Sequence, residues 1–162
     1  MGLIEASRNV YNLPFNGKVD IRPAPFHYNR KIRMAKGAVD FALEIGVPII
    51  AVRKGIVHSV VDKYGRGKFD KRFLDLCNYV IIEHENEEFS AYVHLKRGIL
   101  VEEGDKVNAR QLIGYSGLSG FTGYPHLHFE IMKVNPRTGD FVNIPARFKL
   151  KDEIKVLKSP KK

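Results

Sequence analysis

The chain has 162 residues, 44% of them hydrophobic and 28% charged, with a formal net charge of +9. That length suits one domain with a real core, and the composition is that of a soluble globular protein. No apolar run nears the ~20 residues of a membrane span, and the lone Cys77 excludes an intramolecular disulfide framework and a cysteine-based zinc site.

In chain order, residues 1–25 read as an extended N-terminal segment broken by Pro14, Gly17, Pro23 and Pro25. Its first residues lack the basic start and apolar stretch of a secretory signal. The chain is therefore cytoplasmic as written, or extracellular or periplasmic if a signal has been removed. From about residue 37, short β-type runs follow one another over 38–43, 48–52, 55–61, 79–84, 88–94, 111–115 and 126–134. Val, Ile, Phe and Tyr dominate these runs, and Gly, Asn or Asp punctuates the gaps. Glu85-Asn86-Glu87 is a hairpin-turn candidate. The basic stretch 63–77 reads as an insertion that overhangs a groove, with one short helix over 70–76. Cys77, in an apolar setting, is expected to be a buried, inert thiol. The Lys-rich tail, 149–162, reads as solvated and frayed, with Ile154 and Leu157 placed for a short amphipathic helix.

The most informative motif is His126-Leu127-His128, within Tyr124-Pro125-His126-Leu127-His128-Phe129-Glu130-Ile131. Its flanks alternate apolar and polar, so it lies on a strand, where residues two apart share a face. Two imidazoles then stand roughly 7 Å apart at their backbones. One can bind a metal while the other handles a proton; a pair of ordinary surface histidines is the bland alternative. His84 and His58 read as structural. His94 ends a strand, from which a side chain reaches a groove. Asp40, flanked by apolar strand residues, must be paired or metal-bound if buried, and a ligand role is favoured.

In this order, Gly37-Ala38-Val39-Asp40-Phe41, Asn78-Tyr79-Val80-Ile81-Ile82-Glu83-His84, Tyr92-Val93-His94-Leu95, Gly104-Asp105-Lys106-Val107, Gly114-Tyr115-Ser116-Gly117 and Pro125-His126-Leu127-His128-Phe129-Glu130 together carry a specific signal. The chain resembles the lysostaphin-type (LytM-like) zinc metallopeptidases, the peptidoglycan endopeptidases, over roughly residues 36–134. The resemblance implies an all-β fold, an antiparallel β-sheet peptidase domain related to hybrid barrels, with an active-site groove. It implies one Zn2+ per chain, held by an upstream His, Asp40 and His128, with His94 and His126 as catalytic partners. Three protein ligands leave an open position for water. The family often shows its upstream His four residues before the Asp. Here Lys36 stands there, and a protonated ammonium cannot ligate zinc. His27 is the one histidine before Asp40, so it is expected to complete the site across an inserted loop, 29–34.

These readings give a zinc metallopeptidase domain over 26–148, monomeric, acting on a peptide of peptidoglycan. No nucleic-acid motif accompanies the positive charge, and an anionic wall polymer is a candidate partner. The rival reading is a catalytically inactive family member that binds or regulates cell-wall hydrolases. A biotinyl- or lipoyl-type carrier, suggested by the Gly104-Asp105-Lys106-Val107 turn, lacks the modified-lysine hairpin and is disfavoured.

Overall fold

The structure, a computed structural model, describes residues 5–24 and 37–162. Among them it is built from strands: β1 (Val10–Tyr11), β2 (Val39–Phe41), β3 (Pro48–Ile50), β4 (Gly55–Val61), β5 (Tyr79–Glu83), β6 (Glu88–Val93), β7 (Lys106–Val107), β8 (Leu112–Tyr115), β9 (Leu127–Val134), β10 (Phe141–Ile144), β11 (Ala146–Leu150) and β12 (Glu153–Leu157). The expected all-β class holds. A seven-stranded sheet runs β10-β9-β6-β5-β4-β7, with β2 also paired to β9, and all its pairings are antiparallel. A second sheet, β1-β11-β12, contains the parallel β1–β11 pair, and β3 pairs with β8 in a third.

Alternation explains why the central strand faces as it does. In β9, Leu127, Phe129 and Ile131 are buried, whereas His128 and Glu130 are partly exposed on the opposite face. Each fully buried aromatic or aliphatic side chain of this kind contributes about 2–3 kcal/mol. Phe129 packs with Tyr92 (ring centroids 5.3 Å) and Phe148 (5.6 Å); Phe41 bridges Phe15 (5.2 Å) and Phe148 (6.1 Å). With β9's apolar side fixed in this cluster, a one-residue slip would bury His128, so the register that displays the histidine is enforced by packing.

The seven expected strands are present with ends trimmed by one to three residues, and 55–61 coincides with β4. The 85–87 turn joins β5 to β6 through two left-handed residues, Asn86 at φ 63° and Glu87 at φ 56°. The expected helix over 70–76 shrinks to a 3-10 turn at Lys71–Phe73, started by Asp70, whose carboxylate accepts from the Arg72 amide at 2.9 Å. The described part of the N-terminal segment is irregular or extended apart from β1, and it is anchored: Tyr11 and Phe15 lie in the core, and Glu88, fully buried, accepts from the Arg8 and Asn9 amides at 2.6 and 3.1 Å and from the Tyr11 hydroxyl at 2.7 Å. One expectation needs correction. The C-terminal stretch is neither frayed nor helical. It forms β12, antiparallel to β11, with Phe148 anchoring β11 in the core and the one lysine of each strand, Lys149 and Lys155, exposed. Among the described residues, no helix is long and apolar enough to cross a membrane.

Candidate metal and catalytic site

Three strands meet at the site. Asp40 of β2 stands opposite His128 of β9, and His128 stands opposite Val93 at the end of β6. The pairing therefore brings a carboxylate and two imidazoles together from positions 40, 94 and 128. Asp40 is buried, and its Oδ1 accepts from His128 Nδ1 at 2.9 Å. Its Oδ2 lies 3.8 Å from His126 Nε2. On the outer side, Glu130 Oε1 lies 3.9 Å from His128 Nε2.

The two remaining histidines share one tautomer. His94 Nδ1–H donates to the Ser119 carbonyl at 2.7 Å, and His126 Nδ1–H donates to the Tyr124 carbonyl at 3.0 Å. A carbonyl only accepts, so each ring carries its proton on Nδ1 and Nε2 is the basic nitrogen. The rings stand side by side, with centroids 4.7 Å apart, and His94 lies 6.1 Å from His128. Thr122 steadies this arrangement by donating its hydroxyl to the Tyr124 carbonyl at 2.7 Å.

His94 reaches the groove through its backbone. It adopts φ 67°, a left-handed conformation uncommon for a non-glycine residue. This turn ends β6 and swings the side chain off the sheet. Buried Asn78 holds the turn: its side-chain amide donates to the Leu95 carbonyl at 3.2 Å and to the Tyr64 carbonyl at 2.8 Å, while its carbonyl oxygen accepts from the Lys63 and Tyr64 amides at 3.0 and 2.8 Å. One residue thus ties the end of β6 to the start of the 63–77 insertion.

Asp40 is fixed from behind. Its amide donates to the Ser159 hydroxyl at 2.7 Å, and the Ser159 amide donates to the Ala38 carbonyl at 3.0 Å. Pro160 continues this strap by accepting from the Ala24 amide at 2.9 Å, and Ala24 lines the cavity.

The electrostatics separate the histidines. Burial works against charge on His128, but the bond to Asp40 and the nearby Glu130 outweigh it and lift His128 to about 10. Burial, reinforced by His126 and His128, pushes His94 down to about 3, so it is neutral at physiological pH. The cavity they share, about 60 Å³, is walled by Phe69, Phe121, Tyr124 and Ala24 as well. Phe69 stacks on Phe121 with centroids 4.7 Å apart, so the insertion does overhang the site.

Of the sequence-predicted site residues, Asp40, His94, His126 and His128 lie together; His27 and Lys36 are outside the described residues. Among the described residues, no group of three His, Cys, Asp or Glu is arranged to hold a metal ion. The Asp40–His128 pair nevertheless has the donor chemistry of a zinc site, one carboxylate oxygen and one imidazole nitrogen, facing each other at a buried position. His84 is structural as expected, with Nδ1 on the Lys54 carbonyl and Nε2 on Ser90 Oγ, both at 2.8 Å. His58 is exposed and packs edge-on against Phe89 and Phe141. Cys77 is only partly buried, and burial raises its thiol pKa, which keeps it unreactive. Sequence reasoning missed Ser119, Thr122, Tyr124 and Ser159: Ser119 and Ser159 act through tertiary hydrogen bonds, and Thr122 and Tyr124 through local ones that meet at the Tyr124 backbone carbonyl, which leaves no residue-type pattern.

The model of Peptidase family M23 matches residues 34–143. The chain is similar to the peptidoglycan DD-endopeptidase ShyA of Vibrio cholerae, 35% identical over 124 residues, which cover 76% of this chain and 26% of that protein. It is also similar to lysostaphin of Staphylococcus simulans, 37% identical over 111 residues, covering 68% of this chain and 20% of that one. The chain thus spans about a quarter of the length of such curated relatives. Among solved structures, a zinc-containing peptidase from Vibrio cholerae aligns with TM-score 0.58 and 26% identity over 83% of this chain and 39% of that chain. The catalytic domain of the A109H mutant of the M23 protein EnpA from Enterococcus faecalis aligns with TM-score 0.53 and 27% identity, covering 86% and 91%.

Proposed function

Given that the chain belongs to Peptidase family M23, we propose that it is a zinc-dependent endopeptidase that hydrolyses peptide bonds in the cross-links or stem peptides of peptidoglycan. One observation carries this reading: the buried Asp40 carboxylate, bonded to His128, adjoins two imidazoles whose Nδ1–H groups are held by the carbonyls of Ser119 and Tyr124. A purely structural cluster has no need of that second pair.

In this reading Asp40, His128 and His27 hold zinc. When bound, zinc polarises the scissile carbonyl and lowers the pKa of a water toward ~7. His126 and His94 each offer Nε2 as a proton acceptor. One of them takes the proton from the attacking water as the oxygen–carbon bond forms. It then returns that proton to the amine that leaves when the carbon–nitrogen bond breaks. The other imidazole faces the oxygen on which negative charge develops. Tyr124, through its carbonyl, keeps His126 in the useful tautomer, and the Phe69–Phe121 stack shields the cavity from bulk water. The residues assigned to this chemistry lie within 26–148, and the N-terminal segment and Ser159 support them from outside those bounds.

The test is digestion of purified peptidoglycan and of a Gly-rich peptide by wild type, by His128→Ala and by chelator-treated protein. Cleavage by the untreated wild type alone is expected. Stoichiometric zinc in a wild type that cleaves neither substrate would overturn the substrate assignment. Lys36, standing where the family often has its upstream His, supports a second reading as an inactive module for cell-wall hydrolases. Absence of zinc from both wild type and His27→Ala would favour that reading.

A further inference from the structure

A second and larger cavity, about 280 Å³, adjoins the catalytic one on the other side of the Gly117–Ser119 loop. Arg66, Lys96 and Arg97 line it together with Tyr64, Leu118 and Ser119. The two cavities share a wall: Ser119 lines the second, and its carbonyl accepts from His94 in the first. The insertion closes the cavity's rim by backbone pairing, with the Gly67 amide on the Leu118 carbonyl at 2.6 Å and the Lys68 amide on the Gly120 carbonyl at 3.1 Å. At Gly67 a side chain would collide with the Gly120 backbone, so this contact requires glycine. Tyr64 is seated by Asn78, the residue that also holds the His94 turn.

The charge on this cavity is one-sided. No carboxylate lines it, and among the described residues none is ion-paired with Arg66, Lys96 or Arg97. The neighbouring Asp62 is engaged with backbone, its two oxygens accepting from the Gly98 and Ile99 amides at 2.9 Å each. A fourth cation, Lys63, lies 5.2 Å from the centroid of the Tyr64 ring. Clustered cations repel one another, and a concave wall focuses their field onto whatever enters. Two guanidinium forks suit a planar carboxylate, and an aromatic ring with Leu118 suits the aliphatic stem that carries it.

We propose that this cavity is a subsite for a carboxylate of the substrate peptide, so that the enzyme selects peptides bearing a free acid group beside the scissile bond. The proposal rests on the peptidase reading for the identity of the ligand, but its test does not depend on turnover.

The probes are a fluorescein-labelled peptidoglycan stem pentapeptide with free carboxylates and the same peptide with every carboxylate amidated. Both are titrated by fluorescence anisotropy in the presence of chelator, so neither is consumed. Wild type is expected to bind the acid form about five- to tenfold more tightly, an advantage that shrinks with added salt. The R66Q/K96Q/R97Q variant is expected to bind both peptides as wild type binds the amide. A control variant, K149Q/K151Q/K155Q, removes the same charge from the β11–β12 sheet and is expected to keep the discrimination. Single Arg66→Gln and Arg97→Gln variants, each expected to lose part of it, serve if the triple variant does not fold. Equal binding of the two peptides by wild type, undiminished discrimination in R66Q/K96Q/R97Q, or equal loss in the control would overturn the proposal. Discrimination by a wild type that cleaves neither peptide once zinc is restored would uphold the subsite while removing the peptidase reading.

Discussion

Asp40 and Glu88 are both buried carboxylates, 5% and 0% exposed, on strands that flank β9. Their surroundings differ in kind. Glu88 accepts from two backbone amides and a tyrosine hydroxyl, with Lys133 Nζ at 3.7 Å, and its work is to clamp the N-terminal segment onto β6. Asp40 faces imidazoles whose nitrogens can exchange a proton for a metal. Partners fixed by the fold make a carboxylate structural; partners that titrate make it chemical.

The largest expected contrast comes from matched amide substitutions. Asp40→Asn should lower peptidoglycan hydrolysis by about a thousandfold or more, because the carboxylate proposed to hold zinc loses its charge, and should also destabilise the metal-free protein near neutral pH, where the bond to Asp40 holds the His128 proton. Glu88→Gln should cost stability alone: about 2 kcal/mol lost in urea unfolding, since an NH2 now faces the clamp's donors, with kcat/KM preserved below the melting temperature. Parallel losses in both assays for both variants would erase the distinction.

The second expectation concerns pH in the metal-free protein. His128 is raised to about 10, so between its unfolded value near 6.5 and 10 the folded chain keeps a proton the unfolded chain has released, and stability falls as pH rises. His94 is lowered to about 3, so between 6.5 and 3 the unfolded chain gains a proton the folded chain refuses, and stability falls as pH drops. These two groups should place the maximum of Tm against pH near neutrality. Asp40→Asn should flatten the alkaline limb and Glu88→Gln should leave it. Zinc should flatten it too, because a ligating imidazole must give up its proton.

A smaller effect is expected from Ser159→Ala, which leaves the Asp40 amide without its hydroxyl partner. About 1 kcal/mol of stability and a few-fold in zinc affinity, read by competition with a chromogenic chelator, should be lost. Smallest is His58→Ala: under ~1 kcal/mol, from lost edge contacts to Phe89 and Phe141, and no change in hydrolysis.

Much of the central sheet was legible because β9 alternates and β5 is a short apolar run bounded by turn residues, and Asp40 and His128 were placed at one site by the family resemblance that their two motifs carry. The tail was misread for a physical reason. Lys149, Lys151, Lys155 and Lys158 look like a solvated run, yet outward lysines also mark an edge strand protected from further pairing, and β12 is one, with Ile154 and Val156 exposed. That His94 reaches the groove was legible from its place at a strand end, but the left-handed turn that aims it was not, since Asn78 and Ser119 hold it from other parts of the chain. The His126 tautomer was not legible either, because it depends on a backbone carbonyl two residues away rather than on a side-chain type.

The strap at Ser159 and Pro160 means that the floor of the cavity is held by contacts from a distant part of the chain, more than a hundred residues from Asp40. A protease cutting after Lys158 would leave every pocket side chain intact yet unclip Asp40 and Ala24 at once.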